Sequence, residues 1–232
     1  MLVMSLYNVI DRIFIGQGVG ADAIAGLAIT FPVMNLTAAL GVMVGGGAAA
    51  RVSIVLGQKD EETARLILGN ALTLILINAT IYIAFFGIFI DPILRLFGAS
   101  DVTLPYARDF ILWLLPGLLM TNLTYSLNNV MRASGYPRRA MFTMLIGAGS
   151  NLVLAPIFIF GFGLGIKGAA IATDLAMTIS ASFVFAHFFS KNVSVGFCRG
   201  TFRLRSKIVL AIISIGAAPA LVNAASCFIN II

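Results

Sequence analysis

The chain is nearly without histidine: His187 is the only one in 232 residues. It has a single tryptophan and two cysteines, Cys198 and Cys227. One histidine leaves no serine or cysteine with a plausible triad partner, which argues against hydrolase chemistry. It also leaves no His/Cys/Asp cluster with the spacing of a metal site. Two lone cysteines give no disulfide framework. His187 closes a hydrophobic run, where a solvated or lipid-interface histidine is favoured over a metal ligand. The chain is therefore expected to be no enzyme and to need no cofactor. Charge is scarce as well, at 10% of residues, against about 25% in soluble domains. The net charge of +6 is too dispersed to build a nucleic-acid patch, so no nucleic-acid partner is expected. The stretch Met1–Ile10 lacks a basic n-region and a small-residue cleavage site leading into a polar chain, so no cleavable signal is evident.

What the sequence has instead is apolar length. Hydrophobic residues make up 60% of it, and its mean hydropathy is +1.03. A surface of that kind needs lipid around it. Charge-free runs mark the spans: 28 residues between Asp22 and Arg51, 25 between Arg65 and Asp91, and 22 between Asp109 and Arg132. Arg139 to Lys167 encloses 27, Lys167 to Lys191 encloses 23 with Asp174 as the only charge, and 25 follow Lys207. A crossing needs roughly 20 apolar residues, so these six runs predict spans two to seven of an all-α, polytopic transmembrane helix bundle. Residues 1–15 form a shorter first span, covering about 22 Å of a core about 30 Å thick. The chain is expected to begin inside a helix, and Ile232 to close a run that also reads as cut.

The loops alternate in charge. Those after spans two, four and six hold Arg51, Lys59, Arg65, Arg132, Arg138, Arg139, Lys191, Arg199, Arg203, Arg205 and Lys207, eleven of the fifteen basic residues. The positive-inside rule assigns that side, and with it the N-terminus, to the cytoplasm of a cell inner (plasma) membrane. Pro32, Pro116, Pro156 and Pro219 lie within spans, as bends or as tolerated kinks. The small run Gly45–Ala50 is expected to bring helix backbones close.

Asp11 and Asp174 lie in or near apolar runs, where an ionised acid is costly and is usually paired or functional. Tyr7 and Asp11 share one helical face, as do Asn8 and Arg12. Asn122, Tyr125 and Asn129 make a polar stripe on span four, suited to interhelical contacts or a wet cavity. Asn151 is an isolated polar residue in span five.

These features, in order, resemble the multidrug and toxic-compound extrusion (MATE) transporters of prokaryotic type. The resemblance is carried by Leu6–Gln17, Gly26–Pro32, Gly57–Asp60, Arg132–Gly135 and Gly168–Thr173. It implies a six-helix N-terminal transmembrane lobe over 1–190 with an incomplete first helix. A basic cytoplasmic inter-lobe linker would follow over 191–207, and residues 208–232 would start a second lobe with a seventh helix. It implies an antiporter that exports organic cations or amphipathic drugs and metabolites in exchange for H⁺ or Na⁺. It also implies an ion-coupling cluster: Asp11 and Tyr7 match the acid and tyrosine of span one, Asn151 the asparagine of span five, and Thr173 the threonine of span six. The family's span-five acid is missing, since Ala155 stands in its place. Asp174 is expected either to supply the second carboxylate from span six or to be a surface charge near Lys167. Two other functions stay open. One is a truncated or half-size chain that transports only with a partner lobe or as a homodimer. The other is a lipid-linked oligosaccharide flippase, which needs several basic residues in its cavity where these spans carry almost none.

Overall fold

The computed structural model describes residues 21–190, 193–197, 201 and 204–229. Within them the chain is all-α, with six helices long and apolar enough to cross a membrane. They are α1 (Ala21–Gly57), α2 (Glu61–Leu96), α3 (Leu104–Ala133), α4 (Pro137–Pro156), α5 (Gly165–Phe189) and α6 (Ser206–Ile229). These are spans two to seven. The first span, with Tyr7, Asn8 and Asp11, lies outside the described residues.

The helix ends are set by local chemistry rather than by the first charge. α1 passes through Arg51 and stops at Gly57, where Lys59 turns the chain with φ 59°. Asp60 then caps α2 by accepting the Thr63 N–H at 2.9 Å. Glu61 and Glu62 follow in the first turn, on the side of the helix dipole that favours negative charge. The Asp60 carboxyl is held below its usual range because Thr63, through its side chain and its N–H, stabilises the charged form. Gly98 and Gly135, with φ 92° and 89°, close α2 and α3 in the left-handed conformation. At the second of these turns Gly135 and Tyr136 donate to the carbonyls of Arg132 and Met131 at 3.1 Å. Pro137 then starts α4, where its missing N–H costs nothing.

Prolines 32, 116, 156 and 219 all lie inside helices, as does Pro92. Just before Pro92, Phe89 leaves helical geometry (φ −105°, ψ 19°). Beyond Pro156 the helix widens into a π-helical turn over Ile157–Gly161. Both are the kinks expected where proline removes a ladder bond.

α1 packs against α2, α3 and α6, while α3 leans on α5 and α5 on α4. The small run of α1 does bring backbones together. A Cβ on Gly45 would overlap Ser126 of α3, and one on Gly47 would meet the Ile212 carbonyl of α6. The contact is reciprocal, because a Cβ on Gly216 of α6 would meet the Met43 carbonyl. Two apolar clusters fill the bundle. One gathers Phe86, Ile90, Phe110, Ile111, Leu114 and Ile159. The other gathers Ile67, Leu68, Leu127, Met131, Phe188 and Ile212. Outside them Ile81, Ile88, Leu210 and Leu221 are largely exposed, as a lipid-facing surface requires.

The two ends differ in charge pairing. At one, Arg95 pairs with Asp101 (3.0 Å), Arg108 with Asp91 (3.3 Å) and Lys167 with Asp109 (3.0 Å). At the other, Arg65–Glu61 at 3.6 Å is the ion pair among the described residues. Two described residues before α6, Val195 and Arg205, are held there. Buried Asn70 of α2 accepts the Arg205 N–H at 2.8 Å, and Val195 is 1% exposed.

Candidate functional site

α4 and α5 bring two of the expected residues together. Asn151, 1% exposed, donates from Nδ2 to Thr173 Oγ1 at 3.0 Å. Thr173 in turn donates to the Ala169 carbonyl at 3.0 Å, a helical back-bond that fixes its hydroxyl. One turn beyond Asn151, Ala155 is buried in the apolar cluster beside Ala169 and Ala172.

Asp174 follows Thr173 but faces a different neighbour. Successive helix positions point about 100° apart. Thr173 meets α4, whereas the Asp174 carboxylate lies against α3 at Gly117, where a Cβ would overlap it. Its Oδ1 is buried without a hydrogen-bond partner. Lys167 is engaged with Asp109. Asp174 is thus an intramembrane acid seated in a gap that a glycine creates.

The polar stripe of α3 divides. Asn122 is buried and donates to the Tyr82 hydroxyl at 3.2 Å, joining α3 to α2. Tyr125, 42% exposed, and Asn129 turn the other way. They line a cleft between α3, α4 and α5. Its upper part is an open groove between Tyr125, Met144, Gly147, Met177 and Ser180. Its lower part shares Tyr125 and Met144 and reaches Asn129 and Arg132.

Several polar residues of this region were not evident as a set in the sequence. Asn128, 2% exposed, donates to the Ala140 carbonyl at 2.8 Å and to Thr143 Oγ1 at 2.7 Å. It accepts from Arg132 Nε at 3.0 Å. Ser180 donates to the Thr143 carbonyl at 2.7 Å, and Ser126 to the Gly41 carbonyl at 2.9 Å. The Asn128–Arg132 spacing of four is a usable sequence signal; the partners on α4 and α5 are not.

Among the described residues no group of three His, Cys, Asp or Glu could hold a metal ion. His187 instead meets Arg139, with 3.1 Å from its Nδ1 to the guanidinium, and packs edge-on against Tyr136.

Comparison with known proteins agrees with this architecture. The MatE family profile matches residues 1–157. A FAD transporter of Shewanella oneidensis is 32% identical over 180 residues, 76% of this chain and 40% of the relative. The multidrug export protein MepA of Staphylococcus aureus is 31% identical over 200 residues, 84% of this chain and 43% of the relative. An inward-facing multidrug resistance MATE transporter superposes with a TM-score of 0.92 at 28% identity, over 98% of this chain and 52% of that one. The chain therefore spans about half the length of these relatives, which are transporters and not enzymes. An integral membrane bundle of this shape, matched by the family profile over most of its length, belongs to the MATE family.

Proposed function

We propose that this chain is one lobe of a secondary active antiporter that exports amphipathic drugs or metabolites, organic cations included, in exchange for H⁺ or Na⁺. The observation that carries the proposal is the Asn151–Thr173 hydrogen bond, which joins α4 and α5 at two positions where the family resemblance sets its coupling cluster. Tyr7 and Asp11 would complete that cluster from the first span, with Asn8 beside them. The names of the relatives, a FAD transporter and a multidrug export protein, support a small-molecule cargo.

In this account residues 1–190 are the N-terminal lobe, 191–207 the cytoplasmic linker and 208–232 the start of a second lobe. The protein lies in the plasma membrane with the linker and the N-terminus inside. Alternating access needs two lobes moving about a site between them. A second lobe, or a second copy in a homodimer, is therefore the partner. Cation binding at Asp11 would favour one arrangement of the kinked helices, and release would reset it. Asp174 would be a second intramembrane carboxylate on α5, acting from the α3-facing side at Gly117 rather than beside Asn151.

The test is dye efflux from membrane vesicles carrying the protein, under imposed H⁺ or Na⁺ gradients. Efflux should follow one of the two gradients and be lost in Asp11→Asn. Efflux indifferent to both gradients would contradict the proposal. Loss in Asp11→Asn with no change in Asp174→Asn would remove Asp174 from the mechanism.

A further inference from the structure

We propose that the cleft between α3, α4 and α5 binds an amphiphile with a flat apolar body and an anionic head, and that Arg132 selects the head. This narrows the cargo of the transporter reading on which it rests, and it departs from the organic cations that the family resemblance implies.

The first argument is charge. Among the described residues no carboxylate lines either part of the cleft, and Arg132 is its charged residue. The one acid of α5, Asp174, lies against Gly117 instead. An organic cation entering here would meet a guanidinium and no counter-charge among the described residues.

The second argument is that Arg132 is held. An exposed arginine normally samples many rotamers, and fixing one costs entropy. Here Nε donates to Asn128 Oδ1 at 3.0 Å, and a second nitrogen reaches Met144 Sδ at 2.7 Å. Asn128 is buried and is itself fixed by Ala140 and Thr143. Thr143 also receives Ser180 from the opposite wall. The network positions the guanidinium, yet Arg132 has no acid partner among the described residues. A positioned, unpaired guanidinium presents a planar fork suited to a carboxylate, sulfonate or phosphate.

The third argument is the wall. Met144 and Met177 offer polarizable thioethers and Tyr125 an aromatic face. Thioethers and aromatic rings suit a flat aromatic body. The apolar part of the cleft and the cationic part adjoin through Tyr125 and Met144, as an amphiphile requires.

The head could belong to a soluble amphiphile or to an anionic lipid of the surrounding leaflet. Equilibrium binding to the protein in phosphatidylcholine nanodiscs tests the site without requiring transport, so failure here and failure of the antiport proposal are separable. The probes are anionic 1-anilinonaphthalene-8-sulfonate and its neutral analogue N-phenyl-1-naphthylamine, measured above protein-free nanodiscs. Arg132→Gln should weaken the anionic probe about tenfold, the loss of a charge-assisted contact, and leave the neutral one unchanged. Arg132→Lys, which keeps the charge and guards against misfolding of the glutamine variant, should fall between. Competition by added phosphatidylglycerol would support the site with lipid as its natural source, and its absence would support a soluble amphiphile. Equal loss of both probes, no loss of either, or tighter binding of the anionic probe to Arg132→Gln would overturn the proposal.

Discussion

Gly117 of α3 and Asp174 of α5 are fitted to each other: the carboxylate occupies the volume that a Cβ at position 117 would fill. An acid in a helix–helix contact thus depends on a glycine in the neighbouring helix. Alanine is otherwise the better helix residue, by about 1 kcal/mol. Gly117→Ala should nevertheless destabilise the bundle, by about 1–3 kcal/mol for overpacking. Asp174→Ala in the same chain should recover most of that loss. Thermal unfolding in detergent of the two single variants and the double variant measures the coupling. Additive effects would show that the two residues do not meet.

The α4–α5 hydrogen bond should be measurable in the same way. Asn151→Ala and Thr173→Val, alone and together, should give a coupling energy of about 0.6 kcal/mol and at most about 1.7, the range for interhelical hydrogen bonds in membranes. A double-mutant cycle with no coupling would place the two side chains apart.

α6 is seated on α1 by two glycines that face each other's backbones. Gly216→Leu should displace α6 from Met43, and Gly47→Leu should displace it from Ile212, because a carbonyl cannot give way as a side-chain tip can. Each should lower thermal stability by more than the same change at Gly57, which has open space around it. Equal effects at all three positions would contradict the close approach.

The Asp60 cap carries a pH dependence of known sign. Its carboxyl is lowered from 3.8 by hydrogen bonds to Thr63. Folding therefore gains from the charged form above that value and loses the gain as pH falls below it. Asn is also a good N-cap, so Asp60→Asn should keep the cap but flatten the acid limb of a stability–pH curve. An unchanged acid limb in the variant would rule out this contribution.

Much of this fold can be read from the apolar runs, because a lipid-facing helix needs uninterrupted length and little else. Each charge-free run matches one helix. The ends do not match, since α1 continues through Arg51 and α2 begins before Arg65; caps and left-handed turns end helices, and a flanking arginine can reach the interface from inside one. The candidate site is legible only in part. Asn151 stands out as a polar residue in an apolar span, the family resemblance points to Thr173, and the structure pairs them. Asn128 does not stand out beside Asn129, because its importance comes from Ala140 and Thr143 on another helix. Nor does the sequence disclose that Asp174 faces Gly117, since one step of helix separates that direction from the one Thr173 takes. Side-chain direction depends on where the neighbouring helices lie.

The central claim is that the first-span acid and the α4–α5 pair together hold the coupling cation. Its most direct test is cation binding by the purified protein, which does not depend on transport. Radioactive Na⁺ binding and proton uptake would be measured over a range of pH for the unaltered protein, Asp11→Asn and Asn151→Ala. The account predicts a saturable Na⁺ site or a discrete proton uptake that disappears in Asp11→Asn and weakens in Asn151→Ala. Identical binding curves for all three proteins would contradict it.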